Sequence, residues 1–126
     1  MQAGNESLPH LVVRTEHLDP EAETWLAERC EVVHAEVDSE DLAAIADRVH
    51  GLVVRTYTIV DEGLLDRLPG LQVVARAGVG LDNIDVDACR RRGVEVVHTP
   101  DANTQAVVEY VTCLLCDAIR PRLTLD

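Results

Sequence analysis

The chain contains no lysine and no phenylalanine. Its aromatic side chains are Trp25, Tyr57 and Tyr110, which argues against a base-stacking surface for single-stranded nucleic acid. Without lysine, arginine is the whole basic complement: 11 basic residues face 23 acidic ones, for a net charge of −12. Such a surface repels nucleic acid and anionic membranes. Much of the acid lies between Glu16 and Asp47. No apolar stretch approaches the ~18 residues of a membrane span, and the opening "MQAGNESLPH" lacks an apolar signal core. A cytoplasmic protein is expected. A second C-x-x-C or a nearby histidine pair is also missing. Cys113 and Cys116 sit at i and i+3 in an apolar helical run, so with Cys30 and Cys89 they read as buried reduced thiols, not a metal site or redox pair.

What is present is a supply of Val, Leu, Ile and Ala sufficient for one core in 126 residues. Strand and helix signals alternate without a break. Leu11 to Arg14 is a first strand, followed by the helix "DPEAETWLAERC" with Pro20 early and acids in its first turn. Glu31 to Ala35 is a second strand. "DSEDLAAIADRV" offers Asp38 and Ser39 as caps and Leu42, Ile45, Ala46 and Val49 at helical spacing. A third strand, Gly51 to Thr56, precedes the short helix "VDEGLLDRLP". Leu71 to Ala77 is a fourth strand and Asp85 to Arg92 a helix closed by Gly93. Arg90-Arg91-Arg92 there complements the helix dipole, with an anion patch as the alternative. Val94 to His98 is a fifth strand, and a last helix runs from Thr104 to Ile119, stopped before Pro121.

Five short strands alternating with helices predict an α/β domain with a parallel sheet and helices on both faces. Runs such as Leu52-Val53-Val54 fit strands buried on both sides. The flavodoxin-like order 2-1-3-4-5 suits the length, and ligands in such sheets bind at the carboxyl ends of strands. That rule gathers Arg55-Thr56-Tyr57, Gly78-Val79-Gly80 and the segment His98 to Asn103 at one edge. A response-regulator-like receiver has the same strand order. It needs an acidic pair after strand one and an Asp after strand three, where this chain has Arg14-Thr15 and Arg55-Thr56, so that reading fails.

The stretch "VVARAGVGLDNID" carries the question of function. A dinucleotide turn needs G-x-G-x-x-G and an acidic residue about 20 positions on. The third glycine position is Asn83, and Val97-His98-Thr99 supplies no carboxylate, so the dinucleotide reading is rejected. A glycine turn can instead bare its amides to a carboxylate or phosphate, with φ > 0 at the glycines; a plain tight turn is the alternative.

The segments "GVGLDNID" and "TPDANTQAVVEY", in this order, resemble the D-2-hydroxyacid dehydrogenase family of the phosphoglycerate dehydrogenase type. The similarity runs from about Leu11 to Arg122. It implies that residues 1–126 form a single substrate-binding domain, with the nucleotide-binding domain absent from this sequence. The resemblance makes Gly78, Val79 and Gly80 a nest for the substrate carboxylate. It matches Arg55 and Thr56 to a pair lining the substrate site, Asn103 to a residue near the interdomain hinge, and Val107 to a position facing the nicotinamide side of the cleft. His98 stands where Asn is common and Asp101 where Gly is common.

The resemblance further implies an NAD-dependent enzyme acting on a 2-hydroxy or 2-oxo acid. Its glycine loop, catalytic Arg and His-Glu pair would lie in the nucleotide domain. This chain then holds no catalytic residue and no cofactor by itself, and is expected to be inactive alone. His10, His17, His34, His50 and His98 read as structural or solvated, and Glu109 as a helix-packing or hydrogen-bonding residue. The competing expectation is a free-standing carboxylate-binding or interaction module. In the last helix Val107, Val111, Leu114, Leu115 and Ala118 make one apolar stripe, widened by Val108, Cys116 and Ile119. With no second domain to cover it, a homodimer through that helix is expected.

Overall fold

Strand and helix alternate along the whole described chain, residues 10–120 of a computed structural model. The expectations on the signal core (residues 1–9) and the Pro121 stop lie outside those residues. The elements are β1 (Leu11–Arg14), α1 (Pro20–Ala27), β2 (Glu31–His34), α2 (Glu40–Ile45), a 3₁₀ turn at Ala46–Arg48, β3 (Val49–Val54), α3 (Glu62–Arg67), β4 (Val73–Arg76), α4 (Val86–Arg91), β5 (Glu95–His98) and α5 (Thr104–Ile119). Asp19, Ser39, Asp61 and Asp85 cap the first four helices through their side chains, each accepting from first-turn amides. α5 starts at Asn103 with no side-chain cap.

The sheet is fully parallel, in the order β2-β1-β3-β4-β5. Register aligns Val33, Val13, Leu52, Val74 and Val96 in one row across all five strands. This row faces the core, where Leu42, Leu64, Leu65, Leu68, Ala88 and Cys89 pack against it from α2, α3, α4 and their ends. The step from β1 to β2 runs opposite to those from β3 to β4 and β4 to β5, so right-handed crossovers place α1 on the other face. The Arg14–Glu23 ion pair (2.8 Å) ties α1 there. That second face is thinly covered. α1 and α5 bury no residue, and Val12, Val32, Val53, Val73 and Ala75 remain half-exposed.

Several boundaries move. Val49, expected on the second helix, is instead the fully buried first residue of β3, because the helix tightens into the 3₁₀ turn and the β-branched valine enters the ladder. β3 stops at Val54 rather than Thr56, since the amides beyond it bond to a side chain. β4 and β5 begin later than expected, at Val73 and Glu95, and β2 ends at His34. Both edge strands, β2 and β5, have the same sequence, Glu-Val-Val-His. Cys30 and Cys89 are buried as expected, but Cys113 and Cys116 are exposed, because α5 buries none of its residues.

Candidate functional site

The carboxyl edge of the sheet brings the ends of β1, β3, β4 and β5 together. A cleft of ≈ 450 Å³ opens there, bounded by the His17–Asp19 turn, Arg55, Ala77, Gly78, Thr99 and Ala102. Of the residues singled out in the sequence, Arg55 and Gly78 line it. Val79 and Gly80 continue the turn beyond the lining, and Thr56 lies outside the lining too, its amide bonded to Glu16 at 3.0 Å. Asn103 and Val107 lie on the start of α5, exposed and outside the lining.

The glycine turn has the expected positive φ at one of its two glycines. Gly78, at φ 159°, has the positive φ that residues with a side chain rarely adopt, whereas Gly80 has an ordinary negative φ. The left-handed glycine is Gly93, at φ 71°, which ends α4. What Gly78 provides is room: a Cβ there would lie 1.6 Å from Arg76 Nη1, so the Arg76 guanidinium occupies that space. The Gly78 amide donates to the Arg76 carbonyl (2.9 Å) and is spent. The Val79 and Gly80 amides have no protein acceptor among the described residues. His98 Nδ1 donates to the Val79 carbonyl (2.8 Å), which requires the proton on that nitrogen and holds the turn from β5.

Charge is distributed unevenly around this edge. Arg14, Arg29, Arg48, Arg67, Arg90, Arg91 and Arg92 are each ion-paired. The triplet at the end of α4 is thus consumed by Asp87, Glu62 and Asp66, and forms no anion patch. Arg55 and Arg76 have no carboxylate partner among the described residues, and Arg76 Nε is buried with none at all. Two unpaired guanidinium groups flank the glycine turn of a strongly acidic chain.

Glu16 and Asn83 were missed by the sequence reading. Glu16 Oε1 accepts from the amides of Arg55 (3.1 Å), Tyr57 (3.1 Å) and Thr58 (2.9 Å), and Oε2 from those of Thr56 (3.0 Å) and Tyr57 (3.2 Å). Asn83 Nδ2 donates to the carbonyls of Arg55 (2.8 Å) and Thr58 (2.7 Å). The hydroxyls of Thr15 and Thr58 meet at 2.6 Å beneath. Partial burial pushes the Glu16 carboxyl up, but the hydrogen bonds from Thr58, Tyr57 and Arg55 outweigh it and bring its pKa down to about 2.

That shift sets an acid dependence. A carboxyl depressed in the folded state stabilises fully above its ordinary value of 4.5, and the contribution is lost as pH falls through about 2. Glu16 is only half-buried, so solvent screening reduces its contribution to about 1–2 kcal/mol. Urea unfolding between about pH 5 and pH 2 is expected to lose this increment in the wild type and not in Glu16→Gln.

The turn after β4 does not fit a dinucleotide. The helix behind it begins only at Val86, and its first turn is already capped by the Asp85 carboxylate, which accepts from Ala88 N at 2.8 Å where a pyrophosphate would need bare amides. Among the described residues no group of His, Cys, Asp and Glu could hold a metal ion, and no helix is long and apolar enough to cross a membrane.

Residues 12–113 match the family described as D-isomer specific 2-hydroxyacid dehydrogenase, catalytic domain. The D-3-phosphoglycerate dehydrogenase of Mycobacterium tuberculosis H37Rv is 41% identical over 115 residues, covering 90% of this chain and 22% of the relative. The (S)-sulfolactate dehydrogenase of Chromohalobacter salexigens is 42% identical over 103 residues, covering 79% of this chain and 33% of that protein. The chain thus spans between a fifth and a third of these relatives' length. Among solved structures, the NADPH-dependent glyoxylate/hydroxypyruvate reductase of Sinorhizobium meliloti, in complex with NADP and malonate, superposes with a TM-score of 0.71 at 28% identity, over 86% of this chain and 34% of that one. With a family match over most of its length and the same α/β architecture, the chain belongs to the D-isomer specific 2-hydroxyacid dehydrogenases, by their catalytic domain.

Proposed function

We propose that this chain is the substrate-binding domain of an NAD-dependent D-2-hydroxyacid dehydrogenase, and that its cleft takes the carboxylate of a 2-hydroxy or 2-oxo acid. The observation that supports this best is the meeting of Arg55 and Gly78 across one cleft at the carboxyl edge of the sheet, with Arg76 unpaired beneath the glycine. Arg55 offers a guanidinium fork to a carboxylate, and the open amides of Val79 and Gly80 offer two further donors. Thr56, Asn103 and, on the nicotinamide side, Val107 complete the proposed surroundings. The nicotinamide cofactor supplies the hydride chemistry, and the Sinorhizobium reductase complexed with NADP and malonate supports that pairing of ligands. The turn after β4 does not fit a dinucleotide, and on this reading the chain's own task is to bind and orient the acid. The exposed stripe of α5 is proposed as its association surface, most simply in a two-fold dimer.

Two measurements test this reading. The chain mixed with NAD and a panel of 2-hydroxy acids is expected to show no turnover, and robust turnover would overturn the division of labour. Chemical-shift mapping with pyruvate is expected to perturb residues 55–57, 78–80 and 100–103. The affinity will be weak, because a few hydrogen bonds of ~1–3 kcal/mol each hold the acid. Perturbations centred elsewhere would overturn the placement.

A further inference from the structure

We infer that Glu16 is a positioning residue, whose carboxylate fixes the loop after β3 so that the Arg55 guanidinium stands at the mouth of the cleft beside Gly78; the inference rests on the substrate-binding reading above. The ladder of β3 ends at Val54, and the next four amides have no strand to bond with. All four turn toward one side chain from the end of β1, and both oxygens of that carboxylate are engaged. On the opposite side Asn83 takes the carbonyls of Arg55 and Thr58. The loop backbone is therefore held from both directions. The next residue after Glu16 completes the arrangement: the His17 carbonyl accepts from Arg55 Nη1 at 3.1 Å. One dipeptide holds both the main chain and the head of Arg55.

Hydrogen-bond satisfaction alone does not account for this. Arg55, Thr56 and Tyr57 are exposed, and Tyr57 is 87% exposed, so water could serve their amides. What an internal carboxylate adds is order in a long, rotamer-rich side chain that would otherwise lose its freedom at the moment of binding. It also has a selective effect. Four converging amides form an anion nest, and Glu16 fills it, so an incoming carboxylate is left with the Arg55 side chain and the Val79–Gly80 amides.

The test uses the full 126-residue chain and reads Arg55 directly. Relaxation of its ¹⁵Nε–H group, without ligand, is expected to show an ordered guanidinium in the wild type and a mobile one in Glu16→Gln. Malonate is the binding probe. Its affinity is expected to fall about tenfold in Glu16→Gln, as when a loop is competent only a tenth of the time. In an Arg55→Ala background, Glu16→Gln is expected to have no further effect, because positioning acts through Arg55; a merely structural role would weaken both backgrounds alike. Arg55 equally ordered in wild type and Glu16→Gln would overturn the inference whatever malonate does. If instead malonate fails to perturb the cleft while Arg55 loses its order in the variant, the substrate-binding reading falls and the positioning role stands.

The unsubstituted chain gives a second readout that needs no variant to fold. The other charged groups beside Glu16 are Glu36, Asp38, Asp61 and Arg67, across the neighbouring cleft, and on its own side His17, Arg55 and Arg14, which is itself paired with Glu23 and donates to the Glu16 carbonyl. On acidification, Arg55 Nε is expected to lose order in step with the amide protons of residues 55–58, which bond to Glu16 alone. Arg55 order that stays constant while those amides titrate would overturn the inference.

Discussion

At rising protein concentration, light scattering is expected to show the chain passing from monomer to dimer, and the double substitution Val111→Glu, Leu115→Glu to return it to monomer. α5 presents Val107, Val108, Tyr110, Val111, Leu114, Leu115 and Ile119 to solvent, each between 47% and 76% exposed. Val111 and Leu115 lie one turn apart at the centre of the stripe, where their removal is felt most. Burying ~400 Å² of apolar surface per chain amounts to roughly 10 kcal/mol gross, and association entropy offsets a large part of it. Two carboxylates in that contact add a desolvation penalty of several kcal/mol, enough to weaken association by at least about 100-fold. A monomer that persists at high concentration, with rapid hydrogen exchange along α5, would show that the stripe is not a self-association surface.

A second large effect is expected at Gly78. A side chain there meets two obstacles: a φ of 159°, which residues with a Cβ rarely adopt, and the Arg76 guanidinium, which fills the place of a Cβ. Gly78→Val must expel that guanidinium from beneath the turn. Losing one charge-assisted donor costs about 1.5–3 kcal/mol, so affinity for pyruvate is expected to fall roughly 10- to 100-fold. Gly80→Ala is the contrast. A Cβ at Gly80 meets only Asp82 Oδ1, at 2.8 Å, and that side chain can rotate away. Its effect is expected within about 0.5 kcal/mol. Shift titrations of both variants, with urea unfolding as a control for stability, decide the matter. Wild-type affinity in Gly78→Val would remove the turn and Arg76 from the site.

The strand order was legible because five apolar runs alternate with helical segments, and Ser39, one of the two caps offered by the sequence, does cap α2, while Asp19, Asp61 and Asp85 cap the other three without having been read as caps. That Arg55 and Gly78 come to one cleft was legible because topology places strand ends side by side. Glu16 was not. It opens an acidic stretch that reads as solvated surface, and its partners are four main-chain amides, which leave no mark on residue identity. The pairing of β1 with β3 is the signal that could have located it, since that register puts residue 16 next to the loop after Val54. Asn83 was weighed only as a missing glycine; its amide instead reaches two carbonyls some twenty-five residues away in sequence. Val49 sat at helical spacing by coincidence of period, and burial in the ladder overrode it.

The matching edge strands bear on how such molecules meet. At each border a pair of valines stands between a glutamate and a histidine: Glu31 and His34 on one side, Glu95 and His98 on the other. A foreign strand docking there would gain a ladder of four residues and press against ionisable groups at both of its ends. Pairing of that kind is open-ended and leads to fibres, whereas a two-fold helix contact closes on itself. The edges are therefore expected to disfavour open-ended pairing: crowded solutions of this chain are expected to fill with discrete particles rather than with extended sheets.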